Sequence, residues 1–196
     1  MKTVIGIGNY GKQYIGTRHN VGFEVVDQVA RQHDVSITRK RFLALTATIQ
    51  IGQEQVLLVK PQTYVNETGQ AVRQIVDWFK LSPADVVVVC DDASLSLGRG
   101  RVRPGGSSGG HKGLQSVIDH LGTEEFARLR IGIGEARSGD MIDHVLSRFS
   151  PEERESVEEV IWRAAEAVTV WVTENLEACM SRFNGIGQEP GERPEV

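Results

Sequence analysis

A histidine, an aspartate and two asparagines lie in polar segments where side chains can act on a ligand. His19 lies in "GTRHNVGF", just before a predicted helix, and Asp91 follows the apolar run "VVVVC". A histidine oriented by an aspartate can activate water near neutral pH, because the carboxylate fixes the tautomer and stabilises the imidazolium. The amides of Asn9 and Asn66 can orient such a base or hold a carbonyl oxygen. On spacing alone the pairing stays open, because Asp91 can instead cap a turn and Asp92 is adjacent.

Two glycine motifs suggest other chemistry, and their surroundings argue against it. Residues 6–11 match G-x-G-x-x-G, but the dinucleotide-binding version needs a helix opening at the third glycine, and "KQYIGTRHN" intervenes. Residues 105–109 match G-x-S-x-G, but the basic segment "RGRVRP" precedes them instead of the buried strand that a nucleophile elbow needs. In the same run Gly113 follows Lys112, so it is not a Walker loop. We therefore expect neither a nucleotide cofactor nor a serine nucleophile.

The histidines and cysteines predict no metal site and no disulfide. The histidines form no H-x-x-x-H pair, so we expect no metal and no other cofactor; they are His19, His33, His111, His120 and His144. Cys90 and Cys179 lie far apart and fit a reduced protein core. The chain has no apolar run of the roughly 20 residues that a membrane helix needs. These features predict a cytoplasmic protein without a membrane partner.

The charge distribution points to a local contact with nucleic acid. The 196-residue chain has a net charge of −4, which disfavours non-specific binding to polyanions. Basic residues nevertheless cluster around a glycine-rich segment, "PGGSSGGHKGLQS" at residues 104–116; they are Arg99, Arg101, Arg103, Lys112, Arg128 and Arg130. A local basic patch on an acidic protein fits a specific nucleic-acid contact, although a solvated charged face is an equal interpretation of the patch alone.

The order of predicted elements indicates one α/β domain over residues 1–185, followed by a disordered tail over 186–196. Strands are predicted at 2–7, 44–51, 55–60, 84–91 and 129–134, and helices at 20–34, 69–82 and 151–183. Alternation of strands and helices predicts a mixed, mostly parallel central sheet flanked by helices. Ligands bind beyond the carboxyl ends of the strands in such sheets, where His19 and Asp91 are expected.

Four segments resemble the bacterial peptidyl-tRNA hydrolase family, in the same order and spacing. They are "GIGNYGKQYIGTRHNVGF", "KPQTYVNETG", "SSGGHKGLQS" and "RLRIGIG". The resemblance implies a monomeric, metal-independent α/β enzyme of translation. Such an enzyme cleaves the ester that joins a peptide to the 3′ end of tRNA, and so recycles tRNA after abortive translation.

The resemblance also assigns roles to individual residues. The implied catalytic residues are His19, Asp91, Asn9 and Asn66. The implied contacts with peptidyl-tRNA are Tyr14, Tyr64, Asn66, His111, Lys112, Arg101, Arg103 and Arg130. In this scheme His19, oriented by Asp91, activates the attacking water, and Asn9 helps to position His19. Asn66 binds the peptide, and the arginines dock the acceptor end of the tRNA.

Three positions depart from the family pattern, and one of them is Glu135-Ala136-Arg137, which replaces the more usual His/Arg-Pro-Gly after "GIG". Tyr10 stands where the family usually has proline, and Lys112 stands where it has an asparagine that contacts the substrate. Lysine cannot accept a hydrogen bond, so we expect Lys112 to contact a tRNA phosphate or a carbonyl oxygen instead. The alternative function is a catalytically weak RNA-binding or splicing-partner module on the same fold. The presence of His19, Asn9, Asn66 and Asp91 favours the enzyme, since a binding module has no need for them.

Overall fold

A seven-stranded mixed sheet forms the centre of the molecule. The computed structural model describes residues 1–136 and 141–184. The strands are β1 (Lys2–Gly6), β2 (Arg39–Arg41), β3 (Ala44–Ile51), β4 (Glu54–Pro61), β5 (Val86–Asp92), β6 (Gly100–Arg103) and β7 (Ala127–Gly132). Their order in the sheet is β2-β3-β4-β1-β5-β7-β6. The central strands β4, β1, β5 and β7 are parallel, and β3 and β6 run against them. The predicted fold class is confirmed.

Helices cover both faces of this sheet. They are α1 (Val21–Gln32), α2 (Thr68–Phe79), α3 (Lys112–Leu121), α4 (Met141–Leu146), α5 (Pro151–Thr173) and α6 (Leu176–Phe183). Buried apolar residues of α1, α5 and α6 contribute to one core cluster, and buried apolar residues of α2 and α3 contribute to a second. No helix in the described parts of the chain is long and apolar enough to cross a membrane.

Strand β5 is buried on both faces and places two aspartates at the carboxyl edge of the sheet. Val87 and Val89 pack into the first core cluster, while Val88 and Cys90 pack into the second. A strand buried on both faces reads as a continuous apolar run, as "VVVVC" does. The two following residues, Asp91 and Asp92, therefore emerge at the carboxyl edge of the sheet with their backbone fixed by the neighbouring strands.

The predicted helix over 151–183 is wrong in one respect, because two helices occupy that segment. Helix α5 ends at Thr173, and the side chain of Asn175 accepts a hydrogen bond from the backbone N–H of Ala178 at the start of α6. Asparagine favours such capping positions because its side chain competes for nearby backbone groups. The predicted tail at 186–196 lies outside the described residues.

The sequence patterns also missed strands β2 and β6 and helices α3 and α4, and α3 begins within the glycine-rich segment. Strands β2 and β6 are three and four residues long, too short for a periodic signal.

The G-x-G-x-x-G segment leads into two 3₁₀ turns, Lys12–Tyr14 and Arg18–Asn20, before α1 begins at Val21. The absence of a helix at its third glycine agrees with the exclusion of a dinucleotide fingerprint.

Candidate active site

Two histidines meet one carboxylate oxygen at the carboxyl edge of the sheet. His19 lies in the second 3₁₀ turn between β1 and α1, Asp91 lies near the end of β5, and His111 precedes α3. Nδ1 of His19 is 2.7 Å from Oδ1 of Asp91, and Nε2 of His111 is 3.0 Å from the same oxygen. The two imidazole rings are tilted, with centroids 5.2 Å apart. The predicted pairing of His19 with Asp91 is therefore present in the geometry.

The cap of helix α3 determines which nitrogen of His111 carries a proton. Nδ1 of His111 accepts hydrogen bonds from the backbone N–H groups of Gly113 and Leu114, both at 3.1 Å. A nitrogen that accepts hydrogen bonds carries no proton, so the neutral ring holds its proton on Nε2. His111 therefore donates from Nε2 to Asp91 while its other nitrogen closes the helix N-terminus.

The carboxyl group of Asp91 is buried and ionised. Its side chain is only 3% exposed, and burial by itself raises its pKa. Electrostatic attraction to His111 and hydrogen bonds from His111 and His19 outweigh this effect and hold the pKa of Asp91 well below its usual range. An ionised carboxylate only accepts hydrogen bonds, so His19 donates from Nδ1. The Nε2 atom of a neutral His19 is then free to take a proton.

The neighbouring aspartate has a different role. Asp92 accepts hydrogen bonds from the backbone N–H of Ser94 at 2.9 Å and from its hydroxyl group at 2.7 Å. Its second oxygen lies 2.9 Å from Nε of Arg130. Asp92 therefore stabilises the turn after β5 and binds the adjacent strand. The sequence left open which of the two aspartates pairs with His19, and in the structure it is Asp91.

Asn9 acts on the backbone of a second loop rather than directly on His19. Its Oδ1 accepts a hydrogen bond from the backbone N–H of Val65 at 3.1 Å. The backbone of Asn9 is in turn held by Asn20, through an N–H to Oδ1 contact of 2.8 Å and an Nδ2 to carbonyl contact of 3.0 Å. Asn20 directly follows His19 in the chain, so the link from Asn9 to the histidine runs through Asn20. The sequence interpretation missed this residue.

The other predicted peptide contacts lie around this loop. Asn66 belongs to a 3₁₀ turn, Val65–Glu67, and is exposed. Within residues 1–136 and 141–184, its amide has no hydrogen-bond partner in the protein. Tyr64 immediately precedes this turn and is 47% exposed. Tyr14 lies in the first 3₁₀ turn, where its carbonyl accepts hydrogen bonds from the N–H and hydroxyl groups of Thr17.

A buried arginine next to His19 was also missed. The Arg18 side chain is 9% exposed, and its guanidinium lies 4.7 Å from the centroid of the Phe149 ring. The guanidinium donates hydrogen bonds to Ser147 Oγ, the Ile133 carbonyl and Glu153 Oε2. These bonds fasten the His19 turn to the end of β7 and to the start of α5. The sequence gives no local signal for this role, because all the partners are more than 100 residues away.

The predicted basic patch divides into exposed and structural arginines. Arg101 and Arg103 alternate with buried positions on β6 and are exposed, while Arg130 lies opposite Arg101 on β7. Arg128, assigned to the patch from the sequence, is instead only 2% exposed. It donates hydrogen bonds to the carbonyl groups of Ser107, at 2.7 Å, and Glu124, at 3.1 Å. Arg128 thus anchors the glycine-rich segment and is not available to a ligand.

Lys112 occupies the first position of α3, directly after His111. Its side chain is exposed. A cation at a helix N-terminus faces the positive end of the helix dipole, an arrangement that does not favour helix stability. The position therefore places a positive charge directly after His111 in the chain, at a small cost to the helix.

The cluster of His19, Asp91 and His111 also has the composition of a metal site. Their ligand atoms lie within 4.8 Å of one another. Hydrogen bonds among the three side chains account for this proximity. The sequence argument against a metal depended on spacing along the chain, and it overlooked a cluster assembled from three distant segments. The absence of a metal remains a prediction.

Comparison with known proteins gives one consistent family. A family model described as peptidyl-tRNA hydrolase matches residues 3–192. A peptidyl-tRNA hydrolase of Dehalococcoides mccartyi is 46% identical over 188 residues, covering 94% of this chain and 100% of the relative. The peptidyl-tRNA hydrolase of Caldanaerobacter subterraneus is 45% identical over 185 residues, with coverage of 94% and 100%.

Solved structures agree with these sequence relatives. A crystal structure of a peptidyl-tRNA hydrolase in complex with N-propanol has a TM-score of 0.91 and 29% identity, covering 96% of this chain and 97% of the other. The peptidyl-tRNA hydrolase of Acinetobacter baumannii has a TM-score of 0.89 and 30% identity, covering 95% of each chain.

The double role of His111 predicts different effects for two substitutions. His111→Ala removes the cap of α3 and the bond to Asp91, so we expect a loss of about 1 kcal/mol in the free energy of unfolding from the cap alone. His111→Asn keeps a side chain that can cap the helix, so it should retain that part of the stability. Both variants should raise the pKa of Asp91, measured by NMR of its carboxyl carbon.

The pH dependence of the free energy of unfolding is a second measure of how the His111 variants change the pKa of Asp91. A carboxyl whose pKa is depressed in the folded state stabilises the protein above its unfolded pKa of about 3.9, and this contribution is lost as the pH falls. Urea unfolding between neutral and acid pH should therefore show a weaker pH dependence in both variants than in wild type. An unchanged Asp91 pKa in both variants would contradict the assigned role of His111.

Proposed function

Because the chain belongs to the peptidyl-tRNA hydrolase family, we propose that it hydrolyses the ester of peptidyl-tRNA through a water activated by His19. The observation that carries this proposal is the short contact between Nδ1 of His19 and the buried, ionised Asp91. That contact leaves Nε2 as the basic nitrogen of His19. The products are a free peptide and a tRNA with a 3′-terminal hydroxyl group.

The proposed reaction proceeds by general base and then general acid catalysis. Nε2 of His19 takes a proton from water as the water oxygen attacks the ester carbonyl, and Asp91 stabilises the imidazolium that forms. The tetrahedral intermediate then expels the ribose oxygen, which receives the proton from His19. The bond between the carbonyl carbon and the ribose oxygen breaks, and His19 returns to its neutral form.

The two asparagines contribute differently to this scheme. The exposed amide of Asn66 can donate to the peptide and to the developing oxyanion, since its hydrogen-bonding groups face solvent. Oδ1 of Asn9 is already used by Val65, so Asn9 keeps the turn that carries Asn66 next to the His19 turn. Its positioning effect on His19 is indirect and passes through Asn20.

We assign the tRNA part of the substrate to the surface formed by strand β6. Arg101 and Arg103 project from the edge strand β6 and can contact phosphates without reading sequence. Arg130 is held by Asp92 and can contribute from its exposed part. His111 contacts the same Asp91 oxygen as His19, and Lys112 directly follows His111; both residues are proposed to contact the 3′ end of the tRNA. Tyr14 and Tyr64 are proposed to contact the peptide.

The family's properties supply the remaining parts of the proposal. We expect the protein to act as a monomer in the cytoplasm, without a cofactor. The alternative of a catalytically weak RNA-binding or splicing-partner module gains no support from relatives that are named as hydrolases. The connected His19–Asp91–His111 group also favours catalysis, because RNA binding alone does not need a buried carboxylate.

Substitution of the proposed base tests the reaction directly. In single-turnover cleavage of an N-acetyl-aminoacyl-tRNA, we expect His19→Ala to lower the rate about 10²- to 10⁴-fold, because general base catalysis is lost. His33→Ala, which removes a histidine beyond α1, is the matched control and should cleave like wild type. If wild type cleaves no faster than His19→Ala while both bind tRNA, the proposed function is wrong.

The arginines of β6 should act through charge. Each phosphate contact that is lost reduces the slope of log K against log salt by about one. The double variant Arg101→Ala/Arg103→Ala should therefore bind tRNA more weakly, with a slope smaller by about two, in fluorescence anisotropy titrations. Arg31→Ala, at an exposed site on α1, is the control. An unchanged slope would remove β6 from the RNA surface.

The departure at Lys112 should affect affinity more than chemistry. Lys112→Asn removes an exposed charge, and an exposed ion pair contributes a factor of up to about five in binding. We therefore expect KM to rise by up to about fivefold, with a nearly unchanged single-turnover rate at saturating substrate. A collapse of the saturating rate would show instead that Lys112 participates in catalysis.

A further inference from the structure

Two exposed tyrosines form a pair beside the proposed catalytic residues. Tyr10 is 40% exposed and Tyr64 is 47% exposed, and their ring centroids lie 5.2 Å apart at an angle of 49°. Neither ring belongs to the two core clusters of the described residues. Large aromatic surface left in solvent next to a reaction site calls for a functional explanation.

The pairing is built into the framework of the site. Tyr10 directly follows Asn9, and Tyr64 directly precedes Val65, so the Asn9–Val65 hydrogen bond brings the two tyrosines together. The loops that carry them follow β1 and β4, which are neighbouring parallel strands. The proximity of the Tyr10 phenol group raises the pKa of Tyr64.

The position of the pair in the sheet indicates which part of the substrate it meets. In the strand order β4-β1-β5-β7-β6, the tyrosines follow β4 and β1, Asp91 ends β5, and the exposed arginines lie on β6. The reacting ester therefore lies between the arginines and the tyrosines. If the tRNA approaches from the side of β6, the peptide leaves the ester toward the tyrosine pair.

We propose that Tyr10 and Tyr64 form a selectivity site for the peptide, which favours aromatic or large aliphatic side chains near the ester over glycine. This inference rests on the proposed hydrolysis of peptidyl-tRNA. A tilted aromatic pair offers ring faces and edges to a third apolar group, and aromatic contacts of this kind change binding by roughly two- to tenfold.

The test compares two substrates that differ only in the peptide. N-acetyl-dipeptidyl-tRNAs carry the same tRNA and the same ester-forming residue, with either phenylalanine or glycine before it. We expect wild type to prefer the phenylalanine substrate by roughly two- to tenfold in kcat/KM, mostly through KM. Tyr10→Ala should bring this ratio close to one. Tyr10→Phe keeps the ring and should retain most of the preference.

An exposed aromatic residue elsewhere provides the matched control. Trp162 on α5 is 49% exposed, and Trp162→Ala should leave the ratio at its wild-type value. A wild-type ratio of one, or a ratio that Tyr10→Ala does not change, would overturn the proposal. A total lack of hydrolysis by wild type would instead contradict the proposed function.

A direct binding measurement tests the peptide selectivity separately from the proposed hydrolysis. N-acetyl-phenylalanyl-glycinamide and its glycyl-glycinamide counterpart are titrated into the protein, and the ring resonances of Tyr10 and Tyr64 are followed by NMR. The phenylalanine peptide should shift both sets of resonances at lower concentration than the glycine peptide. If the trinucleotide CCA shifts them and neither peptide does, the pair is a nucleobase site and the proposal is wrong.

Discussion

A single buried carboxylate oxygen, Oδ1 of Asp91, receives hydrogen bonds from two imidazole rings. Burying an ionised carboxylate is costly unless charge-assisted hydrogen bonds compensate for the lost water. His19 and His111 supply that compensation, and each ring is thereby fixed in orientation. The two rings are not equivalent. Nδ1 of His111 accepts hydrogen bonds from the N-terminus of α3 and therefore carries no proton, whereas Nδ1 of His19 donates its proton to Asp91. This difference leaves Nε2 of His19 as the nitrogen that we propose to act as the base.

Three parts of the fold must be in place for that oxygen to be shared. Strand β5, buried on both faces, carries Asp91 to the sheet edge. Helix α3 begins there with orphan N–H groups that require a partner, and His111 provides it. The His19 turn is held by its two sequence neighbours, Arg18 through α5 and Asn20 through the β1 loop. The site therefore depends on elements from most of the chain, and the loops around it are positioned by hydrogen bonds that do not involve substrate.

The sequence predicted those features that depend on short runs of neighbouring residues. The apolar run before Asp91 identified β5 and its carboxyl edge, and the hairpin of β3 and β4 followed from two short apolar segments. Contacts between distant residues left no such pattern. Arg128 looked like part of a basic patch and is buried, since its carbonyl partners become visible only in three dimensions. The resemblance to a known family named His111, but its bond to Asp91 required the structure.

Asp91 holds His19 and His111 in opposite tautomers. Imidazole ¹⁵N NMR at neutral pH measures this directly, because protonated and unprotonated ring nitrogens have well-separated chemical shifts. We predict a proton on Nδ1 and none on Nε2 for neutral His19, and the reverse for His111. A neutral His19 protonated on Nε2 would rule out its role as the base, because that nitrogen could not then accept a proton from water.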